Sequence, residues 1–366
     1  MKLSDLGESG ILGLFREWAG EAGGPVLLGV GDDAAILAPS GEREIVVSTD
    51  AWVDGVHFSR DYLTPDEIGH RAMAGSLSDL AAMGAEGQAA FVNVHAPADL
   101  TLDFLRRAYL GLERVAGPCG VRIAGGDTVR GELAFDITVI GTVAAGAAFR
   151  RDGAEPGDLL VVSGVLGGSE IGRRLLAGQI RESMPDRLRV EAERAHRAPL
   201  PRFDVVRLLH SLERREVDVE AAEETVQSVR PTAAMDISDG LGIDLLRLCE
   251  ASHVGCRIDA RSLPVHPALH RIARLEKRRV ADAVLASGED FELLFTIAPE
   301  HEELLFGAAR KASISLTTIG TIEEIRDGTT IVRESGDEET LTPVGWDHFR
   351  TTDADTSARS PRPGRP

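Results

Sequence analysis

A recurring arrangement runs through this chain: an acidic side chain at the end of an apolar run or directly after a glycine. Asp32 and Asp33 sit in GVGDDAA, and Asp50 closes VVSTD beside the hydroxyls of Ser48 and Thr49. Asp127 follows two glycines in IAGGDT, Asp236 and Asp239 bracket Ser238 in AMDISDG, and Glu289 and Asp290 follow Gly288 in ASGEDFELLF. Taken singly, such steps are ordinary turn chemistry, because Asp caps its own backbone and Gly tolerates positive φ. Asp79 is different, as the only charge in AMAGSLSDLAAMGA. A carboxylate on an apolar helix face is costly to bury alone. Its compensating group is either a structural arginine, such as Arg71 two turns earlier, or a cation. As a set, hard oxygen donors without a matching His/Cys cluster select Mg²⁺ or Ca²⁺ over zinc. The Gly125-Gly126 step would let backbone approach a nucleotide phosphate closely. Neither GxxxxGK[ST] nor the HRD/DFG set occurs, so a nucleotide site here is of another kind. The GGS at 167–169 adds little by itself.

The elements that would carry these residues alternate between strands and helices. PVLLGV, GDDAAILAP and EIVVSTD read as short strands. Thr64-Pro65-Asp66-Glu67 predicts a helix start with Thr64 as cap and Glu67 completing a capping box, running to about Met83 with Gly84 as terminator. A second helix is expected over 101–116, then strands at VRIAGGD and LAFDITVIGTV. The segment AAFRRDGAEPGD joins two domains, placed at 1–147 and 148–350. The second opens with the strand DLLVVSG and a Gly-rich turn into a helix; AMDISDG reads as strand and turn, and LGIDLLRLCEAS as helix. A strand pair is expected around LASGEDFELLFTI, a solvated helical insertion over the acid-rich 210–228, and a disordered tail at 351–366.

Composition narrows the partners. A length of 366 residues fits two domains, and 43% hydrophobic residues suffice for real cores built from Ala, Val, Leu and Ile, since aromatics are only 4%. A formal charge of −19, from 59 acidic against 40 basic residues, disfavours nucleic acid and anionic membranes. It suits a phosphate substrate only if divalent cations intervene. Cys119, Cys249 and Cys256 form no CxxC pair, the start Met1–Asp5 lacks an apolar leader, and no run reaches the roughly 18–20 apolar residues that span a bilayer. The expectation is a cytoplasmic protein.

GVGDDAA, VVSTDAWVDGVHF, SLSDLAAMGA, IAGGDTVRG, RDGAEPGD, MDISDGL and SGEDFEL, in this order and spacing, resemble the thiamine-monophosphate kinase family. That family lies within the ATP-binding superfamily that includes aminoimidazole ribonucleotide synthetase. The resemblance covers roughly residues 3–350, and VDGVHF, SDLAAMGA and the C-terminal VGWDHF point to the kinase branch. It implies an α/β (α+β) fold in two domains: an N-terminal mixed sheet with helices on one side that pairs in a homodimer, and a C-terminal α/β sandwich. The implied reaction converts ATP and thiamine phosphate to ADP and thiamine diphosphate, with several Mg²⁺ ions. Asp33, Ser48, Thr49, Asp50, Asp79, Asp127, Asp236 and Asp239 fall on the family's magnesium positions, of which Asp50, Asp127 and Asp239 are taken as catalytic. Asp32 lies in the same motif. Tyr109, Gly126, Asp127, Arg151 and Ser238 fall on ATP positions, and His57, Glu289 and Trp346 on positions that contact thiamine phosphate. Arg150 lies one residue from the Arg151 assignment.

The chemistry fits these residues independently. A phosphate monoester with a second pKa of about 6 is mostly ionised at neutral pH, so the acceptor is already a nucleophile and needs no base. The remaining task is to cancel repulsion between two polyanions and align them in line, which predicts direct transfer without a phosphoenzyme. His57 either packs locally or contacts substrate, whereas the face of Trp346 suits a cationic ring. Within the superfamily, selenophosphate synthetase would carry a reactive Cys or selenocysteine near its start, and the hydrogenase-maturation relative a terminal cysteine. Met1–Glu21 contains no cysteine and the chain ends PRPGRP. Aminoimidazole ribonucleotide synthetase is the enzymatic alternative, and a non-catalytic acidic metal-binding protein the alternative from another class.

Overall fold

The computed structural model describes residues 26–28, 32–38, 41–218 and 223–349. The start of the expected first domain and the expected tail 351–366 lie outside the described residues. In the first half, β1 (Val26–Leu28), β2 (Ala35–Leu37), β3 (Arg43–Val53), β4 (Glu86–Ala96), β5 (Arg122–Gly125), β6 (Thr128–Arg130) and β7 (Ala134–Ala144) form one sheet. Its order is β1-β2-β3-β7-β4-β5, with β6 also on β4. β4 runs parallel to β5 and β6 but antiparallel to β7, so the sheet is mixed, as expected. Val46 and Trp52 on β3, and Phe135, Ile137 and Val139 on β7, are buried, while their sequence neighbours are more open. That period of two covers a single face.

Helices α1 (Pro65–Ala82) and α2 (Leu102–Ala116) form the cover. The capping box of α1 is present: Glu67 N–H donates to Thr64 Oγ1 at 3.4 Å, and Thr64 N–H to Glu67 Oε2 at 2.8 Å. The helix stops before Gly84, whose φ of +67° suits glycine. From Ile68 to Ala82, α1 is buried on nearly all sides. It is enclosed because the second half of the chain covers what α2 and the sheet leave open. Three polar ties mark that second contact: Arg197 Nη1 donates to Glu67 Oε1 at 2.7 Å, His70 Nε2 lies 2.8 Å from Pro199 O, and Arg71 reaches Glu289 at 2.8 Å.

The second half contributes β8 (Leu159–Ser163), α3 (Gly168–Leu176), α4 (Asp186–Arg197), α5 (Phe203–Ser211), β9 (Glu213–Asp218), β10 (Glu223–Ser228), β11 (Ala233–Ile237), α6 (Leu241–Ser252), β12 (Gly255–Asp259), α7 (Pro267–Leu275), α8 (Val280–Leu285), β13 (Glu292–Ile297), α9 (Glu302–Ala312), β14 (Leu316–Glu323), β15 (Thr329–Val332) and β16 (Glu338–Thr340). Its main sheet has the order β11-β13-β8-β14-β12-β15-β16, antiparallel except for β12 with β15. Leu160, Val162, Met235 and Leu294 face a core shared with α3, α6, α7 and α8. Val161, Ala234, Leu293 and Phe295 face the other way, into a core continuous with α1, α5 and α9. Helices therefore cover both faces, the sandwich expected. No helix among the described residues is long and apolar enough to cross a membrane.

Two sequence expectations are corrected. Among the described residues of 210–228, only the end of α5 is helical; β9 and β10 form an antiparallel ribbon, pairing Glu213 with Ser228 through Asp218 with Glu223. The run RREVDVE places Val217 and Val219 two apart, a strand period that the acid-rich composition obscures. LASGEDFELLFTI holds one strand rather than two, because its start closes α8 and GEDF is a turn with Glu289 at φ +62° and Phe291 at φ +52°.

Candidate active site

Carboxylates from three elements converge where the two halves meet. Asp33 precedes β2, Asp79 lies in the last turn of α1, and Asp236 stands on β11. One carboxylate oxygen from each lies within 4.8 Å of the other two. Arg151 grips Asp33 with a two-pronged contact, Nε to Oδ2 at 2.9 Å and Nη2 to Oδ1 at 2.6 Å, while its backbone N–H donates to Asp32 at 3.1 Å. The Ser48 hydroxyl donates to Asp79 Oδ2. Ser48 and Asp50 alternate on β3 towards α1, which brings Asp50 to the Ser76 hydroxyl.

These carboxylates oppose one another. Burial, then Asp50, Asp236 and Asp33, raise the pKa of Asp79 well above the usual carboxylate range. Burial and then Asp33 do the same to Asp236. Burial also raises Asp50, opposed by Ser76 and reinforced by Asp239, and lifts Asp32 to about 7. A cluster of hard oxygens in which Asp79 and Asp236 have raised pKa values and Arg151 is set on Asp33 fits a divalent cation of the magnesium class. Arg71, the structural partner considered for Asp79, turns to Glu289 instead.

A second group flanks the first. Val53 N–H donates to His57 Nδ1 at 3.1 Å, and the His57 ring lies 5.8 Å from Trp52 and 5.0 Å from His348. His348 stands edge-on to Trp346 at 5.5 Å, so His57 and Trp346 share one aromatic cluster. Burial, then His348 and Arg71, push the His57 pKa down to about 4, which keeps the ring neutral. Trp346 N–H donates to Asp239 O at 2.9 Å, and a Cβ on Gly345, at φ +155°, would lie 2.7 Å from that same oxygen. Only glycine lets the segment 344–349 lie so close, leaving the Trp346 side chain 41% exposed. Glu289 joins the group through its N–H to Ser238 O at 2.7 Å.

Other expected residues are not gathered. Asp127 is exposed between β5 and β6, its Oδ1 accepting from Thr128 N–H at 2.7 Å. Gly126 beside it has φ +146°, and a Cβ there would sit 1.9 Å from Val92 O, so glycine is required to press this loop onto β4. Thr49 points to the opposite face of β3, its hydroxyl 3.1 Å from Thr138, leaving only its backbone for the cluster. Tyr109 is exposed on α2. Asp239 does lie close enough to Asp50 to raise its pKa, though its own carboxylate is held at 2.5 Å by Arg247, which also meets Asp244 at 3.0 Å. Arg150 pairs with Asp152 at 2.5 Å.

Several contributors were missed in the sequence. Asp244 accepts from the N–H groups of Asp239 and Gly240, both at 3.0 Å, and fixes the turn into α6; an acid in a first helical turn is a readable signal. Ser76 and Ser78 adjoin Asp50 and Asp236. Asp290, by contrast, was named with Glu289, and it accepts from Gly167 N–H at 2.6 Å and Ser169 N–H at 3.1 Å, so the GGS turn is occupied by a carboxylate from another segment.

Comparison with known proteins adds an independent line. The family model for the AIR synthase related protein N-terminal domain matches residues 31–143, and that for the C-terminal domain matches 155–333. A thiamine-monophosphate kinase of Synechococcus elongatus is 37% identical over 304 residues, covering 83% of this chain and 85% of that protein. One of Bacillus subtilis is 31% identical over 328 residues, covering 88% and 94%. The solved structure described as AaThiL complexed with AMPPCP and TMP superposes with a TM-score of 0.77 at 27% identity, over 95% of this chain and 99% of that one.

Proposed function

Because the chain belongs to the thiamine-monophosphate kinase family, within the AIR synthase related proteins, we propose that it phosphorylates thiamine phosphate with ATP to give thiamine diphosphate. The observation that carries this reading is the convergence of Asp33, Asp79 and Asp236 beside the aromatic cluster of His57, His348 and Trp346. Asp33, Asp79 and Asp236 would hold Mg²⁺, with Ser48, Asp50 and Asp239 close by and Thr49 and Asp127 as further family positions. When bound, magnesium supplies the positive charge that lets two phosphate groups approach and that stabilises the transferring phosphoryl group.

The side chains do the rest. Ser48 and Ser76 orient the carboxylates of Asp79 and Asp50. Arg151 and Ser238 are read as the nucleotide side, with Gly126 and Tyr109, which stand apart from the cluster, as further family positions for ATP. His57, Glu289 and Trp346 form the acceptor side, where neutral His57 adds no charge and the Trp346 face suits a thiazolium cation. The acceptor phosphate, mostly ionised at neutral pH, attacks without a base, so transfer is direct and in line. The reading includes a cytoplasmic homodimer with domains at 1–147 and 148–350. The sheet face that the described residues leave open, carrying Thr49, Thr138 and 40%-exposed Phe91, supports pairing through that sheet.

Steady-state ADP release, with phosphorus NMR of the product, tests the proposal. Turnover should require both Mg²⁺ and thiamine phosphate and yield a diphosphate ester. ADP release independent of thiamine phosphate would overturn it.

A further inference from the structure

We infer that Arg71 is a positioning residue for the acceptor site, fixing the Glu289 carboxylate so that one oxygen is held by protein and the other is presented to thiamine phosphate. This rests on the acceptor reading of Glu289 given above. Arg71 lies within α1, in the first half of the chain, and its side chain is 0% exposed. Its guanidinium spans to the second half: Nη2 donates to Glu289 Oε1 at 2.8 Å, and Nη1 donates to the His196 carbonyl.

Among the described residues, the surroundings leave the second Glu289 oxygen available. His196 is held neutral by burial and then by Arg71 and Arg173, so its ring brings no charge to the carboxylate. Its Nδ1 lies 3.1 Å from both the Ser169 hydroxyl and Arg71 Nη1. Glu289 Oε2 is 3.8 Å from that nitrogen, beyond hydrogen-bond distance, and the side chain is 30% exposed. The Glu289 backbone is pinned at φ +62° by its N–H to Ser238 O, and Phe291 N–H binds Ile237 O at 3.0 Å. With the backbone fixed from one side, Arg71 sets the carboxylate from the other. Stability alone does not account for such a pair, because a buried ion pair gains little over an apolar pair of the same volume. Its value is directional: the planar fork serves two acceptors at once, which a lysine ammonium cannot reproduce.

The test uses full-length protein carrying Arg71→Lys, Glu289→Gln or both, with initial rates measured against thiamine phosphate and against ATP, and thermal denaturation alongside. The expected result is a KM for thiamine phosphate raised about tenfold in Arg71→Lys, the lower end of losses seen when a supporting residue is changed. The ATP KM and kcat should stay within about twofold, and the double variant should be no worse than Glu289→Gln. Should the lysine variant not accumulate as folded protein, Arg71→Gln keeps one donor without charge and carries the same expectation. Effects that multiply in the double variant, or a fall in Tm with both KM values and kcat moving together, would mark a purely structural tie and overturn the inference. An unchanged KM in Glu289→Gln would instead remove the acceptor reading of Glu289, and this inference with it.

Discussion

Charge is buried on both sides of the cleft between the two halves, and the two sides treat it in opposite ways. Asp33, Asp79 and Asp236 face one another, with Arg151 set on Asp33, and burial and mutual repulsion drive the pKa values of Asp79 and Asp236 upward. On the acceptor side, Arg71 answers Glu289, while His57 and His196 are kept neutral by burial. One side lacks protein counter-charge and is relieved by protons or by a cation; on the other the protein supplies the counter-charge itself. The difference teaches that exposure alone does not mark a ligand site. What marks it is whether the protein has supplied the counter-charge itself.

The sharpest way to break this contrast is Asp79→Asn. Activity should fall by about 10³-fold, the scale set by losing a group that acts on the transferring phosphoryl charge. The magnesium-free Tm should hold or rise, because a neutral amide removes one repelling charge. Near-normal turnover together with a lower metal-free Tm would mean that the carboxylate is structural.

A smaller effect concerns metal and pH. Asp79 and Asp236 have raised pKa values in the fold, so the stability they contribute is present below the usual carboxylate range and is lost as pH rises through the raised values. Magnesium must displace those protons, so the Tm gain on adding Mg²⁺ to chelator-treated protein should be larger at pH 8 than at pH 6. An equal or smaller gain at pH 8 contradicts the uncompensated cluster.

The smallest effect belongs to the acceptor side. His57 is lowered from 6.5 to about 4, so its contribution is present above 6.5 and is lost as pH falls through about 4. His57→Gln should therefore flatten the acid limb of Tm against pH across that window. An unaltered limb would show that His57 is not held neutral by its surroundings.

How far these regions could be read from sequence depended on the range of the interactions. The start of α1 was legible because a capping box spans four consecutive residues. Asp79 was legible as an anomaly, a lone charge in an apolar stretch. What it meets was not: Arg71, eight residues away and about 80° around the helix at 100° per residue, turns to Glu289, while Asp79 meets Ser48, Asp33 and Asp236. Asp33 and Asp127 both lie in glycine-acid turns, yet of the two only Asp33 reaches the cluster, a distinction set by strand order. Asp290 looked like a companion of Glu289 but spends its oxygens on the start of α3.

The ties that Glu67, His70 and Arg71 make to Arg197, Pro199 and Glu289 turn α1 into a strut common to both sheets. Prying the sheets apart would rupture all three together and uncover a helix that is buried almost throughout. Breathing of the cleft as a whole is thereby suppressed.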